Sequence, residues 1–347
     1  MIITVASGKG GTGKTTVAVS LALSITADRQ DLTDQDLADQ DLRDKESDSP
    51  AQSESVNPAN PLFLDCDVEE PNAALFLKPA IKEHREVGQL IPKVDPDKCT
   101  YCGRCAEVCQ YHAIAVVPQR VLVFTELCHG CGSCSLNCPE KAIHEVLCVT
   151  GTIERGWARG IHPSDSGGLG GVKLPPASGG PGEVEFAQGT MNVGEPMAVP
   201  IIRQLKQWVI PPDASASLGG TPGDRPVILD ASPGTACPVV ESMRGADFVL
   251  MVTEPTPFGL HDLRLAVEVA HDELGLPVGV VINRDGVGDR GVDDYCAAES
   301  IPILMRIPLD RRIAESYSEG VPLVEALPEY RAQLRELYHR IRGEMAR

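Results

Sequence analysis

Residues 8–16 read GKGGTGKTT, four glycines in six positions followed by Lys-Thr-Thr. Gly8, Gly13, Lys14 and Thr15 satisfy the spacing G-x-x-x-x-G-K-[ST]. The run lies between the short apolar stretch Ile2–Ala6 and an apolar stretch of helical length over residues 14–27. Strand, loop and helix in that order are the setting a phosphate-binding loop requires. Glycines let the backbone wrap an anion, and the amides of Gly10, Gly11, Thr12, Gly13, Lys14 and Thr15 point inward at a helix N-terminus. Lys14 then reaches the outer phosphates, Thr15 ligates Mg²⁺, and Thr16 completes the loop. A glycine-rich turn without a ligand is the plainer alternative.

Working outward, PLFLD (61–65), RPVILD (225–230), DFVLMVTE (247–254), PVGVVIN (277–283) and IPILMRI (301–307) are further apolar runs bounded by Pro, Gly or Asp. Near-continuous runs of this kind, separated by helical patterns such as HDLRLAVEVAHDEL (261–274), predict an α/β fold with a mostly parallel sheet covered by helices on both faces.

Three segments break that rhythm. Residues 28–60 carry DLTDQ, DLADQ and DLRDK in tandem, with ten acidic and three basic residues between Asp28 and Glu54. Such self-repulsion with little apolar area predicts a disordered acidic insertion. Residues 156–188 are expected to form a linker, because eight Gly and four Pro fall within 160–182.

The third break is CTYCGRCAEVCQYHAI (99–114), repeated 29 residues later as CHGCGSCSLNCPEKAI (128–143). Each copy has the spacing C-x2-C-x2-C-x3-C: Cys99, Cys102, Cys105 and Cys109, then Cys128, Cys131, Cys134 and Cys138. Eight of the twelve cysteines fall here. Zinc is the competing reading, but zinc sites usually pair two C-x2-C units across a longer loop.

The chain of 347 residues has a formal charge of -18 and only 4% aromatic residues, which argues against nucleic-acid partners and against an anionic membrane surface. No apolar run is long enough to span a bilayer, and no signal-peptide pattern opens the chain, so no stable membrane insertion and a cytoplasmic setting are expected. Cysteines there are reduced thiols or metal ligands.

The form K-G-G-x-G-K-T-T, with Lys9 before the glycines, resembles the deviant Walker A loop of the MinD/ParA/Mrp superfamily of P-loop ATPases, to which the nitrogenase iron protein is related. The resemblance implies ATP and Mg²⁺ as ligands and an ATP-dependent homodimer. In it Lys9 contacts the nucleotide of the partner subunit and stabilises charge on the transferred phosphoryl group. Asp65 and Asp67 in LDCDVEEPN match the first switch of that superfamily, where the second aspartate positions attacking water. Asp230 in VILDASPGT matches the second switch and would hold Mg²⁺ through water. Asn283 sits where the superfamily places its adenine-recognising asparagine, although a turn-forming Asn is an equal reading.

The cysteine repeat resembles the bacterial two-cluster ferredoxin, in which the fourth cysteine of each run ligates the other [4Fe-4S] cluster. Carried over, Cys99, Cys102, Cys105 and Cys138 hold cluster 1, and Cys128, Cys131, Cys134 and Cys109 hold cluster 2. Cys66 and Cys148 read as small buried hydrophobes, and Cys296 has no recognisable context. Cys237 follows the second switch as a cluster-ligating cysteine does in the nitrogenase iron protein, though a core reading leads.

The whole chain therefore resembles superfamily members with an inserted α+β ferredoxin-like domain: residues 1–92 and 148–347 as the two parts of the ATPase, and 93–147 as the insertion. This implies an ATP-hydrolysing iron-sulfur protein that couples nucleotide state to electron transfer, with an unidentified redox or iron-sulfur acceptor protein as partner. Alternatives are an iron-sulfur cluster carrier, as resemblance to Mrp suggests, and a nucleotide-switched positioning module of the MinD/ParA kind.

Overall fold

The computed structural model describes residues 1–26, 60–159, 177, 182–210 and 225–346. Its centre is β1 (Ile2–Ala6), where Ile3 and Val5 face one layer of helices while Thr4 and Ala6 face the other. The chain continues through α1 (Lys14–Ser24), β2 (Leu62–Asp65), α2 (Ala73–Leu77) and the long strand β3 (Ala80–Val94). The cysteine segment holds α3 (Arg104–Glu107), the hairpin β4 (Ile114–Val117) and β5 (Arg120–Val123), and α4 (Ser133–Leu136). A second long strand, β6 (Ile143–Arg159), leads back to β7 (Glu183–Met191) and α5 (Val199–Val209).

The remainder alternates strand and helix: β8 (Val227–Asp230), α6 (Cys237–Met243), β9 (Phe248–Thr253), α7 (Pro257–Val267), β10 (Val278–Asp285), α8 (Gly291–Ala298) and β11 (Ile303–Pro308). Three C-terminal helices follow, α9 (Arg311–Ser318), α10 (Leu323–Ala326) and α11 (Glu329–Met345). Among the described residues the sheet has nine strands in the order β11-β10-β9-β1-β8-β2-β7-β6-β3. Every pairing from β11 to β7 is parallel, and only β7–β6 and β6–β3 are antiparallel.

Alternation along the central strands sorts the core into layers. Phe63 and Ile228 pack with α1 and α11 on one face, whereas Leu62, Leu64 and Leu229 pack with α5 on the other. Burial on both faces is why these strands read as unbroken apolar runs.

The antiparallel edge runs across the expected boundaries at 93 and 147. Strands β3 and β6 run without a break through positions 93 and 147, so no linker separates the cysteine segment from the sheet. β6 pairs with β7 only over Gly151–Arg159, and beyond it β3 and β6 pair solely with each other as far as Val94 and Ile143. A bulge marks the departure. Between Val87 and Gly88 the partner on β6 slips from Gly151 to Val149, leaving Thr150 as the extra residue. Side chains hold this point: Gln204 Nε2 on α5 donates to Gly88 O at 2.8 Å, and Asn192 Nδ2 donates to Val149 O at 3.1 Å.

The expected linker is shorter than 156–188 at both ends, because β6 extends to Arg159 and β7 begins at Glu183. Buried glutamates explain the β7 end: Glu183 pairs with Arg159, and Glu185 pairs with Arg155 and Arg225, which ties the strand ends together. Apart from Ala177 and Gly182, the rest of that linker and residues 28–59 of the acidic repeat lie outside the described residues. Asn60, the last position of the expected insertion, is buried. No described helix is long and apolar enough to cross a membrane.

Candidate functional site

The loop between β1 and α1 curls over the C-terminal ends of the central strands. Gly13 adopts φ 89° as the N-cap of α1, a conformation that favours glycine. At Gly8 the requirement is space, since a Cβ there would run into the backbone of Asp262 on α7. The register places Val5 beside Asp230 and Asp230 beside Asp65, so three adjacent strands deliver their ends to one point.

Beneath the loop, Lys14 Nζ lies 2.7 Å from Asp230 Oδ1, and both side chains are buried. Burial alone would push the Lys14 ammonium toward neutrality, but Asp230, with Asp67 and Asp65 behind it, raises its pKa above the ordinary value. The carboxylates carry the opposite strain. Asp65 is fully buried and pushed up to about 7, by burial first and by the charge of Asp230 next. It accepts backbone bonds from Asp67, Asn72 and Ala73 at 3.0–3.1 Å, the last two at the start of α2. Burial raises Asp67 to about 6, with Lys14 opposing the shift.

A cavity of about 470 Å³ opens above this pair. It is lined by Lys9, Gly10, Gly11, Thr12, Gly13, Lys14, Thr15, Thr16 and Asp67, and also by Ile307, Leu309, Ile313, Tyr317 and Leu323. Loop amides and a lysine beside apolar side chains, in a cavity of that size, suit a nucleotide, with its phosphates over the loop. Asp230 Oδ2 is buried without a hydrogen-bond partner, as is Thr12 Oγ1. A carboxylate oxygen left free beside a phosphate loop fits a magnesium-bound water.

Lys9 stands at the mouth, one-third exposed, with Nζ 3.1 Å from Glu254 Oε2, and Arg284 pairs with the other oxygen of the same carboxylate. Asn283 lines the cavity, but its amide is committed to the loop: Nδ2 donates to Thr12 O at 2.7 Å, and Oδ1 accepts from Arg284 N. Glu254 and Arg284 were not singled out from the sequence. The signal was present in VTEPT and INRD, each a charged residue at the C-terminal end of a parallel strand.

The eight repeat cysteines come together in two groups at the far part of the β3–β6 ribbon. One cavity is lined by Cys109, Cys128, Cys131 and Cys134, the other by Cys99, Cys102, Cys105 and Cys138. Each group takes three cysteines from one copy of the repeat and the last from the other. All twelve cysteines are free thiols. Among the described residues no group of three or more His, Cys, Asp or Glu side chains is placed to hold a metal ion; each cysteine quartet lines a cavity. Cys66 and Cys296 are buried, Cys148 is half-buried, and Cys237 is exposed at the start of α6.

Three outcomes follow from the charge cluster. Asp230→Ala leaves the Lys14 ammonium buried without its close partner, and urea denaturation of the nucleotide-free protein is expected to show a loss of about 3–5 kcal/mol. Asp65 and Asp67 hold protons in the fold that the unfolded chain releases near pH 4. Their contribution to stability therefore falls as pH rises from about 4 to about 7. A magnesium ion bound beside them favours the ionised forms. Calorimetry in buffers of different ionisation enthalpy should show proton release when Mg-ADP binds between about pH 5 and 7, with affinity rising across that window.

A sequence model of the CobQ/CobB/MinD/ParA nucleotide binding domain matches residues 3–323. Two uncharacterized proteins of Methanocaldococcus jannaschii are similar along nearly the whole chain. One is 27% identical over 331 residues, 92% of this chain and 90% of the relative; the other is 25% identical over 347 residues, 99% and 96%. A stretch of 40 residues, 12% of each chain, is 45% identical to one component of the Na⁺-translocating ferredoxin:NAD⁺ oxidoreductase complex of Acetobacterium woodii. Among solved structures, MinD of Pyrococcus horikoshii complexed with Mg-ADP is similar with a TM-score of 0.48 at 16% identity, covering 98% of this chain and 95% of that one. With the family model spanning both strand ends that carry the aspartates and the loop that carries Lys14, the chain belongs to the CobQ/CobB/MinD/ParA family of nucleotide-binding domains.

Proposed function

We propose that the protein is an ATP-hydrolysing iron-sulfur protein in which nucleotide state is coupled to one-electron transfer through two [4Fe-4S] clusters. The observation that carries this reading is the crossed grouping of the cysteines. Cys99, Cys102 and Cys105 share a cavity with Cys138, and Cys128, Cys131 and Cys134 share one with Cys109. That exchange of the fourth cysteine is the arrangement of two-cluster ferredoxins. Thiols ringing a cavity suit a four-iron cluster, which needs its ligands further apart than a lone zinc ion does. The short match to a component of a ferredoxin:NAD⁺ oxidoreductase complex supports the redox character.

At the nucleotide end, the loop amides and Lys14 hold the phosphates, Thr15 and Asp230 hold Mg²⁺, and Asp67 orients the attacking water. On nucleotide entry Lys14 would exchange Asp230 for a phosphate, leaving the Asp230 carboxylate to help hold Mg²⁺. Lys9 leaves Glu254 to reach the nucleotide of a second copy, so the working form is an ATP-dependent homodimer. Asp65 passes the change on, because its carboxylate holds the amides that open α2, and α2 runs directly into β3 and the cysteine ribbon. An electron enters from a reduced donor protein and leaves to an oxidised acceptor protein.

Cluster delivery is a second reading, favoured by the exposure of Cys102 and Cys131. Apo-acceptor proteins separate the two, since a carrier loses its iron to them and an electron-transfer protein keeps it. Anaerobic reconstitution with iron and sulfide is expected to load about eight iron atoms per chain. Cys102→Ser and Cys131→Ser should each lower that to about four, and a wild-type protein that takes up zinc but no iron-sulfide would contradict the proposal.

A further inference from the structure

The two cysteine cavities are not equivalent with respect to the nucleotide-binding body. The cavity of Cys109, Cys128, Cys131 and Cys134 is lined by Leu90, Pro92 and Glu145 of the ribbon, whereas that of Cys99, Cys102, Cys105 and Cys138 is lined by Val94 and Ile143. Val94 and Ile143 are the last pair of the β3–β6 ladder. At about 3.3 Å per residue they lie roughly 7–13 Å further along the strand than Leu90 and Pro92. The first cavity is therefore proximal to the sheet and the second distal.

One side chain joins the proximal cavity to the base of the ribbon. Gln89 follows the bulge at Gly88, which α5 holds through Gln204, and it is 8% exposed. Its Nε2 donates to Cys128 O at 2.9 Å, while its Oε1 is buried with no partner. The loop seats on the strand at the same place, since a Cβ built on Gly130 would lie 2.9 Å from Leu90 O. An unpaired buried carboxamide oxygen costs stability, so packing alone does not explain a glutamine here. The hydrogen bond has a specific consequence. The C=O and N–H of a trans peptide point opposite ways, so fixing Cys128 O also fixes the direction of the His129 N–H beside a cysteine of the quartet.

We propose that Gln89 is a positioning residue for the cluster held by Cys109, Cys128, Cys131 and Cys134, and that through it the nucleotide-binding body contacts this proximal cluster and not the distal one. The inference rests on the two-cluster reading above. A shift at the base of the ribbon reaches the proximal cluster through this hydrogen bond, beside the packing of Leu90, Pro92 and Glu145, and peptide orientation next to a ligand alters both cluster retention and its electronic signature.

The test uses full-length protein reconstituted anaerobically, as wild type, Gln89→Met and Gln89→Asn. Methionine keeps the bulk and removes the unpaired oxygen, and asparagine stays polar but is too short to reach Cys128. Electron paramagnetic resonance of the reduced protein identifies the proximal signal as the one missing from Cys131→Ser and the distal signal as the one missing from Cys102→Ser. Both Gln89 variants are expected to shift the proximal signal and to release half of their iron to a chelator roughly tenfold faster than wild type, with the distal half unchanged. Wild-type spectra and release rates in both variants would overturn the proposal, as would a change confined to the distal signal. A wild-type protein that takes up no iron overturns the two-cluster reading itself, and this proposal with it.

Discussion

A buried lysine facing a buried aspartate is the constraint around which the nucleotide site is arranged. Lys14 and Asp230 meet at 2.7 Å with almost no solvent, and Asp65 and Asp67 stand behind them. Three carboxyl groups stand against one ammonium, and burial first, then the charge of Asp230, holds protons on Asp65 and Asp67 above the usual carboxylate range. The surplus of carboxyl groups makes the site receptive to a divalent cation. Parallel register produces the arrangement, since β1, β8 and β2 are neighbours and their C-terminal ends fall level.

Charge at this site is tied to mechanics further out. Asp65 does two jobs at once, facing Asp230 and accepting the amides of Asn72 and Ala73. A change in its ionisation or position acts on the first turn of α2, and only Lys78 and Pro79 separate α2 from the strand that carries the cysteines. The return strand β6 joins β7, which pairs with β2. The cysteine segment thus hangs from two strands that lie together on one side of β2, beyond β7, and the bulge at Thr150 interrupts their ladder where they leave the sheet.

Much of this was legible in the sequence because the physics was local. Strands buried on both faces leave unbroken apolar runs, the phosphate loop leaves its glycines and Lys14, and the cysteine spacing announces two quartets. The ribbon was not legible, because Ile81–Glu86 in β3 are all exposed and show neither alternation nor an apolar run. Edge strands of this kind carry charge for solubility, which erases the pattern. The Glu254 clamp on Lys9 was hidden because its partners lie 245 residues apart. The boundaries expected at 93, 147, 156 and 188 followed composition, whereas the strand ends follow pairing, including buried pairs such as Arg159 with Glu183.

The proposed coupling requires that nucleotide state reach the proposed iron-sulfur centres. The most direct measurement is a redox titration of the anaerobically reconstituted protein, followed by electron paramagnetic resonance, without nucleotide and with Mg-ATP or Mg-ADP. Mg-ATP is expected to shift the midpoint or line shape of a cluster signal, and the shift is expected to disappear in Lys14→Ala. Spectra and midpoints identical under all three conditions, in protein that binds ATP and holds its full iron, would contradict coupling.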